Sequence, residues 1–395
     1  MRIGFIDYSR EERNTILSTL KTLGDHTALD ELGVGVVRDA YSDILFPGIS
    51  TLQTRAKYFV LIPYLFHDAA VLATNGSLHS GQDMLLQIQQ WEDTIAKSLT
   101  DRFPNEKGII GSNASRQKRS VKIKPTQIYW NGMRTLGILR NNDLSILSVC
   151  KVLYRDAKQK ADIEIKTDDE NYDDLTAAAQ DRTLFLPLKA DYDYLTQASM
   201  DLTKKEAEFI VECIQRSLRT SGSLLWFFVK EGMISDGFFS VPEDILPDKL
   251  REDYHLAKDF SRFIYGAHLR YNLIYSLSSD EGIDLSMKEQ YDNWLEEMRS
   301  DPVDLEPVLK RVSCGEYLSK FCRGFQQEAL QGNNAATDEL IIHRERQVKG
   351  SRAKLCKPGE YRYSPVHDYR LDYRFDTAKD IIQDVLKGLG GTDNV

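Results

Sequence analysis

The chain has 395 residues, 42% apolar and 28% charged, with a formal net charge of −9. That balance supports a large core and excludes global disorder, and the length suits two or three domains. The best candidate for a membrane span, Tyr58 to Leu65, falls far short of the roughly 18 apolar residues a bilayer requires. Asp7 interrupts the N-terminal apolar run too early for a signal peptide. A cytoplasmic protein with no membrane partner is expected. Five cysteines form no C-x-x-C pair, so neither a disulfide framework nor a zinc ribbon is expected. Cys213 and Cys322 read as small core residues.

In chain order, Ile3 to Ile6 predicts a short strand. The Ser9–Glu12 capping box predicts a helix to about Leu23, with Ile16, Leu17 and Leu20 inside. Asp30 to Gly35 and Phe46-Pro47-Gly48 are turn-rich breaks. Ser50 can cap a helix bearing Leu52, Ala56, Phe59 and Val60, which Pro63 should bend or end. Another helix is expected over Asp83 to Leu99. Pro104 to Lys124 reads as a polar loop, and Thr126 to Tyr154 turns apolar and ends in a helix. Lys158 to Asp181 is an exposed acidic loop by composition, with seven acids between Asp162 and Asp174. Thr203 and Glu206 form a second capping box, followed by Ile210, Ile214 and Leu218 at helical spacing. A long helix over Arg251 to Leu277 has Leu256, Phe260, Phe263, Ile264, Ala267 and Tyr271 as its stripe. Further helices are predicted at Met287–Met298, Leu305–Val312, Glu316–Leu330, Thr337–Lys349 and Thr377–Leu389. The expected fold is mainly α with minor β (α+β), a multi-helix globular protein of two subdomains. Residues 1–157 would form an N-terminal mixed helical domain with a basic loop, 158–181 an exposed acidic segment, and 182–395 a C-terminal helical domain.

No phosphate-binding Walker loop, dinucleotide-binding glycine fingerprint or G-x-S-x-G elbow occurs, so no cofactor or resident metal is expected. Glu164-Ile165-Lys166 has the E-x-K form of a metal-dependent nuclease, with Asp143 or Asp156 as an upstream acid. A solvated acidic loop explains it more simply. His67-Asp68 has the shape of a metal pair without convincing companions. Gly266 inside the long helix predicts close helix packing, and His268 and Asn272, four apart, can hydrogen-bond. Two basic stretches stand out. Arg116, Lys118, Arg119, Lys122 and Lys124 are five cations in nine residues with no acid. The second runs from His343 to Arg362, where Arg344, Arg346, Lys349, Arg352, Lys354, Lys357 and Arg362 face only Glu345 and Glu360. On a helix, Arg346, Lys349 and Arg352 would share one face. Tyr361, Tyr363, Tyr369 and Tyr373 follow. Cations of this kind neutralise phosphates, and aromatics can stack on exposed bases.

Asp30-Glu31-Leu32-Gly33-Val34-Gly35-Val36-Val37-Arg38-Asp39-Ala40, Leu45 to Ser50 and Thr54 to Phe59 together resemble the start of an uncharacterised bacterial family, DUF 6361. Shorter matches are Ile128-Tyr129-Trp130, Gly137-Ile138, Leu202-Thr203 with Glu206-Ala207, Gly266-Ala267 with Tyr271-Asn272, and Arg344-Glu345-Arg346 with Lys349-Gly350. Tyr64 stands where the family has tryptophan. The resemblance implies no settled activity; it implies an association with helicases and phospholipase-D-like nucleases in bacterial defence loci. Arg38, Asp39 and Arg55 lie among apolar residues, either paired structurally or lining an anion-holding cleft. The leading expectation is a non-catalytic, DNA-associated accessory protein acting with a partner helicase or nuclease. Its phosphate contacts would be Arg116, Lys118, Arg119, Lys122, Lys124, Arg344, Arg346, Lys349, Arg352 and Lys354. The alternatives are a metal-dependent nuclease using Glu164 and Lys166, and a pure protein-interaction module.

Overall fold

The computed structural model describes residues 30–140, 143–166, 184–279 and 282–390, with side chains omitted over 162–166. Fifteen α-helices lie among the described residues, and the only β pairing among them is a single antiparallel bridge between Leu139 and Phe185. The expected strand and helix before residue 24 lie outside the described residues, as does most of the acidic stretch. The chain forms two compact units, each assembled from separated segments.

One unit draws its described residues from 46–237 and 374–390, the other from 30–45 and 238–373. The first unit is built around α2 (Tyr58–Thr74), which buries Phe59, Val60, Ile62, Leu65 and Phe66 on all sides and so sits as a central helix. (Helix α1, Gly35–Leu45, belongs to the other unit.) Pro63 lies inside α2 rather than ending it, because the neighbouring helices bury the turn that its ring disturbs. The turn before α2 is Ser50–Lys57, not a helix. Tyr129 fixes it by accepting from the Thr54 and Arg55 amides at 2.8 and 3.0 Å. Around α2 pack α3 (Gly81–Arg102), α5 (Pro125–Thr135) and α6 (Ile146–Lys166), with the short α4 (Ser112–Arg116) against α3.

After α7 (Tyr194–Gln197) comes α8 (Lys204–Arg216), which starts on the predicted Thr203–Glu206 capping box. Glu206 also receives the buried Lys57 ammonium at 2.6 Å, the Tyr64 hydroxyl at 3.2 Å and the Tyr192 hydroxyl at 2.9 Å. Burial pushes the Lys57 ammonium below its ordinary value despite Glu206. Helix α8 stops at Arg216 because Ser217 turns extended and its hydroxyl reaches Thr135 O at 2.5 Å, leaving the expected stripe residue Leu218 93% exposed. Helices α9 (Leu224–Glu231) and α15 (Phe375–Gly388) close this unit. Arg55 is structural: its Nε lies 2.9 Å from an Asp384 carboxylate oxygen, and it also pairs with Glu106.

The second unit contains α1 (Gly35–Leu45), α10 (Asp248–Leu277), α11 (Leu285–Ser300), α12 (Leu305–Arg311), α13 (Glu316–Leu330) and α14 (Asn334–Lys349). The last five follow the predicted spacing closely. Val37, Tyr41 and Leu45, four residues apart, form the buried face of α1, and Tyr41 donates to Val308 O at 2.7 Å. Gly266 permits the close α10–α11 crossing: a Cβ there would lie 2.1 Å from the Trp294 ring. Cys213 and Cys322 are buried in their respective units.

Candidate nucleic-acid interface

Residues 104–124 of the first unit form a loop fastened at several points. Thr54 donates to Gly108 O at 2.7 Å, and Tyr58 accepts from Ile110 N at 2.8 Å. Asp93 on α3 accepts from Ser120 at 2.8 Å and from Val121 N at 3.0 Å. Lys124 completes this anchor: its ammonium lies 2.5 Å from Asp93, so it faces inward and is not a surface contact. Against the opposing push of burial, the three donors Lys124, Val121 N and Ser120 together hold the Asp93 carboxyl below its ordinary value. Glu92, one residue earlier, is 3% exposed and caps α5 by accepting from Thr126 N and Oγ1, each at 2.7 Å. Its other oxygen has no partner among the described residues, and burial raises its carboxyl to about 7.

The remaining cations of the loop point outward. Arg116, Lys118, Arg119 and Lys122 are all exposed. Arg116 donates to Pro104 O at 2.6 Å, which orients its guanidinium without neutralising it. No described acid pairs with any of the four.

The second stretch is divided differently. Arg344 and Lys349 are buried, so Lys349 does not share an outer face with Arg346, and Arg352 lies beyond the end of α14. Arg344 donates to Leu32 O at 2.8 Å, passing over Gly33, where a Cβ would stand 2.7 Å from the guanidinium. Lys349 pairs with the buried Glu31, and Lys354 lies 3.6 Å from the same carboxylate. His367 Nε2 is 3.5 Å from Glu31 Oε2. Burial pushes the Glu31 carboxyl up, but His367, Lys349 and Lys354 pull it down to about 2. Glu345 accepts from Tyr271 at 2.7 Å and from the Lys354 and Leu355 amides at 2.9 Å. His268 does not bond Asn272. Its ring stacks on His367 at 5.0 Å, neither of its nitrogens has a partner among the described residues, and burial holds its imidazole down at about 3. Asn272 binds the Val366 backbone instead. Of the second stretch, Arg346 and Arg352 are exposed, as are Tyr361 and Tyr369, whereas Tyr363 is partly covered and Tyr373 is buried.

Composition counts charges without orienting them. The acids that sequester these cations, Asp93 and Glu31, were not predicted as partners. Lys349 and Glu31 are 318 positions apart, a separation no local pattern encodes. One signal existed: Glu31, Tyr271 and Asn272 fall in segments that carry the resemblance, and those segments converge on this hub.

Glu164 and Lys166 fall in the last turn of α6. His67 and Asp68 form an exposed pair at 3.1 Å, with Asp68 also held by Tyr194 at 2.6 Å. No three His, Cys, Asp or Glu side chains among the described residues converge to hold a metal. No described helix is long and apolar enough to cross a membrane.

The fold and its surface define a helical protein with an anchored loop of outward cations on one unit and a buried ionic hub in the other. A model of a family of unknown function, DUF6361, matches residues 1–300, and the chain belongs to that family. No curated protein and no solved structure matches the chain.

Proposed function

We propose that this protein is a non-catalytic, DNA-associated accessory of a bacterial defence system, cytoplasmic and acting beside a helicase or nuclease. The observation that carries the reading is the set Arg116, Lys118, Arg119 and Lys122: exposed, without an acid partner among the described residues, and mounted on an anchored loop. Such a loop meets phosphates with its backbone already ordered, so little entropy opposes contact. Arg346 and Arg352 are secondary contacts, while Lys124, Arg344 and Lys349 serve the fold. The test is a titration of duplex DNA at several salt concentrations. Binding should weaken steeply with salt, and replacing Lys118, Arg119 and Lys122 by Ser should flatten the log–log slope by about 0.9 for each lost phosphate contact. Affinity indifferent to salt refutes the reading. Plasmid cleavage with Mg²⁺ or Mn²⁺, lost in Glu164→Gln, would establish the nuclease instead. The inward ion pairs of Lys124 and Lys349 favour the second reading, a protein-interaction module, which predicts no DNA binding at low salt.

A further inference from the structure

Residues 353–373 of the second unit contain no helix, yet are tied down along their length. Glu345 starts the segment by accepting from Lys354 N and Leu355 N. Gly359 N donates to Ser278 O at 3.0 Å, and Tyr275 donates to Arg362 O at 2.8 Å. Asn272 exchanges two hydrogen bonds with the Val366 backbone, at 2.8 and 2.9 Å. Ser261 donates to Leu371 O at 2.9 Å, and Tyr373 donates to Ala257 O at 2.6 Å. As the numbering rises from 359 to 373, the partners fall from 278, the residue that caps the C-terminus of α10, to 257 within it. The segment is therefore a strap laid antiparallel along α10, over about 30 Å of helix at ~1.5 Å per residue. Irregular segments of this length are uncommon inside compact units unless they serve a function.

The strap sorts its tyrosines. Tyr373 is buried, and Tyr363 donates to Asp284 at 2.8 Å. Tyr361 and Tyr369 turn outward, 37% and 58% exposed. By the neighbouring rungs, the two lie roughly 15 Å apart along α10. That exceeds the ~3.4 Å between adjacent nucleotides of a strand, so the rings would meet non-adjacent bases. Arg352 is exposed at the head of the strap, and Arg346 is exposed on the preceding helix. Glu360, the acid beside Tyr361, is engaged by Lys357 at 3.3 Å.

We infer that the strap is a docking platform for single-stranded nucleic acid, with Tyr361 and Tyr369 stacking on unpaired bases and Arg346 and Arg352 meeting phosphates. The inference rests on the phosphate-contact reading above and assigns a second, distinct element to it. Bases in a duplex are already stacked on both faces and offer a tyrosine no free ring. A strap fixed by backbone hydrogen bonds holds its rings in place before the ligand arrives, which lowers the ordering cost of stacking.

The test uses the full chain and a labelled single strand of about 16 nucleotides, alone and as a duplex, near 50 mM salt. The double variant Tyr361→Leu/Tyr369→Leu should bind the single strand roughly 10- to 100-fold more weakly, while duplex binding is unchanged. Asp368→Asn, which removes an exposed carboxylate beside Tyr369, should tighten single-strand binding about twofold. Unchanged melting temperatures establish that all variants are folded. Single-strand affinity unaffected by the double variant, or an equal loss on duplex, overturns the platform while leaving the Arg116–Lys122 reading intact. Failure of the native chain to bind either DNA overturns both.

Discussion

Replacing Glu92 with Gln should make the protein more stable in mildly alkaline solution and remove a specific part of its pH dependence. Glu92 is buried with one oxygen capping α5 through Thr126 and the other unpartnered. It lines a void of about 10 Å³ otherwise walled by Tyr58, Leu61, Leu65, Ile95 and Ile110, at the lower limit of what a water needs. Burial raises its carboxyl from 4.5 to about 7. The folded protein therefore holds this proton more tightly than the unfolded chain does. The stability this contributes is complete below pH 4.5 and is lost as pH rises from there through about 7. At 1.36 kcal/mol per pH unit, the loss is about 3 kcal/mol. Gln keeps the oxygen that accepts from Thr126 and cannot ionise. Urea unfolding of native and E92Q protein at pH 5 and pH 8 measures the effect. The stability difference between the two proteins should move by about 2–3 kcal/mol in favour of the variant on going from pH 5 to pH 8, part of the loss having already occurred below pH 5. Parallel pH dependence in the two proteins would refute the reasoning, since a pH-independent difference cannot come from a titrating buried acid.

Glu31→Gln should cost about 3–5 kcal/mol at neutral pH, because Lys349 is left charged and buried without its partner. In the native protein, the contribution of Glu31 should be present above pH 4.5 and vanish as pH falls toward 2, which acid titration of the unfolding midpoint in both proteins would reveal. Gly266→Ala places a methyl into the Trp294 ring and should destabilise the second unit by about 1–3 kcal/mol, measured as a lowered urea midpoint with Trp fluorescence shifted.

Where the chain repeats an apolar stripe over four or more turns, the sequence predicts the element well: α10 and α13 fall where the spacing puts them, and α8 starts on its capping box. Its C-terminus was placed too far, because the end is set by Ser217 reaching a carbonyl 82 positions away. The interface is legible to a lesser degree. The exposed Arg116–Lys122 cations follow from an acid-free run, but Lys124 turns inward to an aspartate 31 positions away. In α14, Arg344, Glu345 and Lys349 occupy the buried face that apolar residues fill elsewhere, so a polarity pattern reads the helix inside out. The strap along α10 has no periodicity to detect; it exists because side chains of α10 and Glu345 of α14 supply its hydrogen-bond partners.

The interleaving of the two units also bears on how the protein is made. Helix α1 leaves the ribosome about 200 residues ahead of α10, whose residues its apolar face requires. At ~5–20 residues per second, that interval lasts roughly 10–40 s, during which Val37, Tyr41 and Leu45 stay without their native cover. The other unit waits longer, because the carboxylate that clamps Arg55 and the Ala56 amide arrives only with Asp384. Early chaperone shielding of residues 35–45, and consolidation of the first unit only after Asp384 has emerged, are the expected course of biosynthesis.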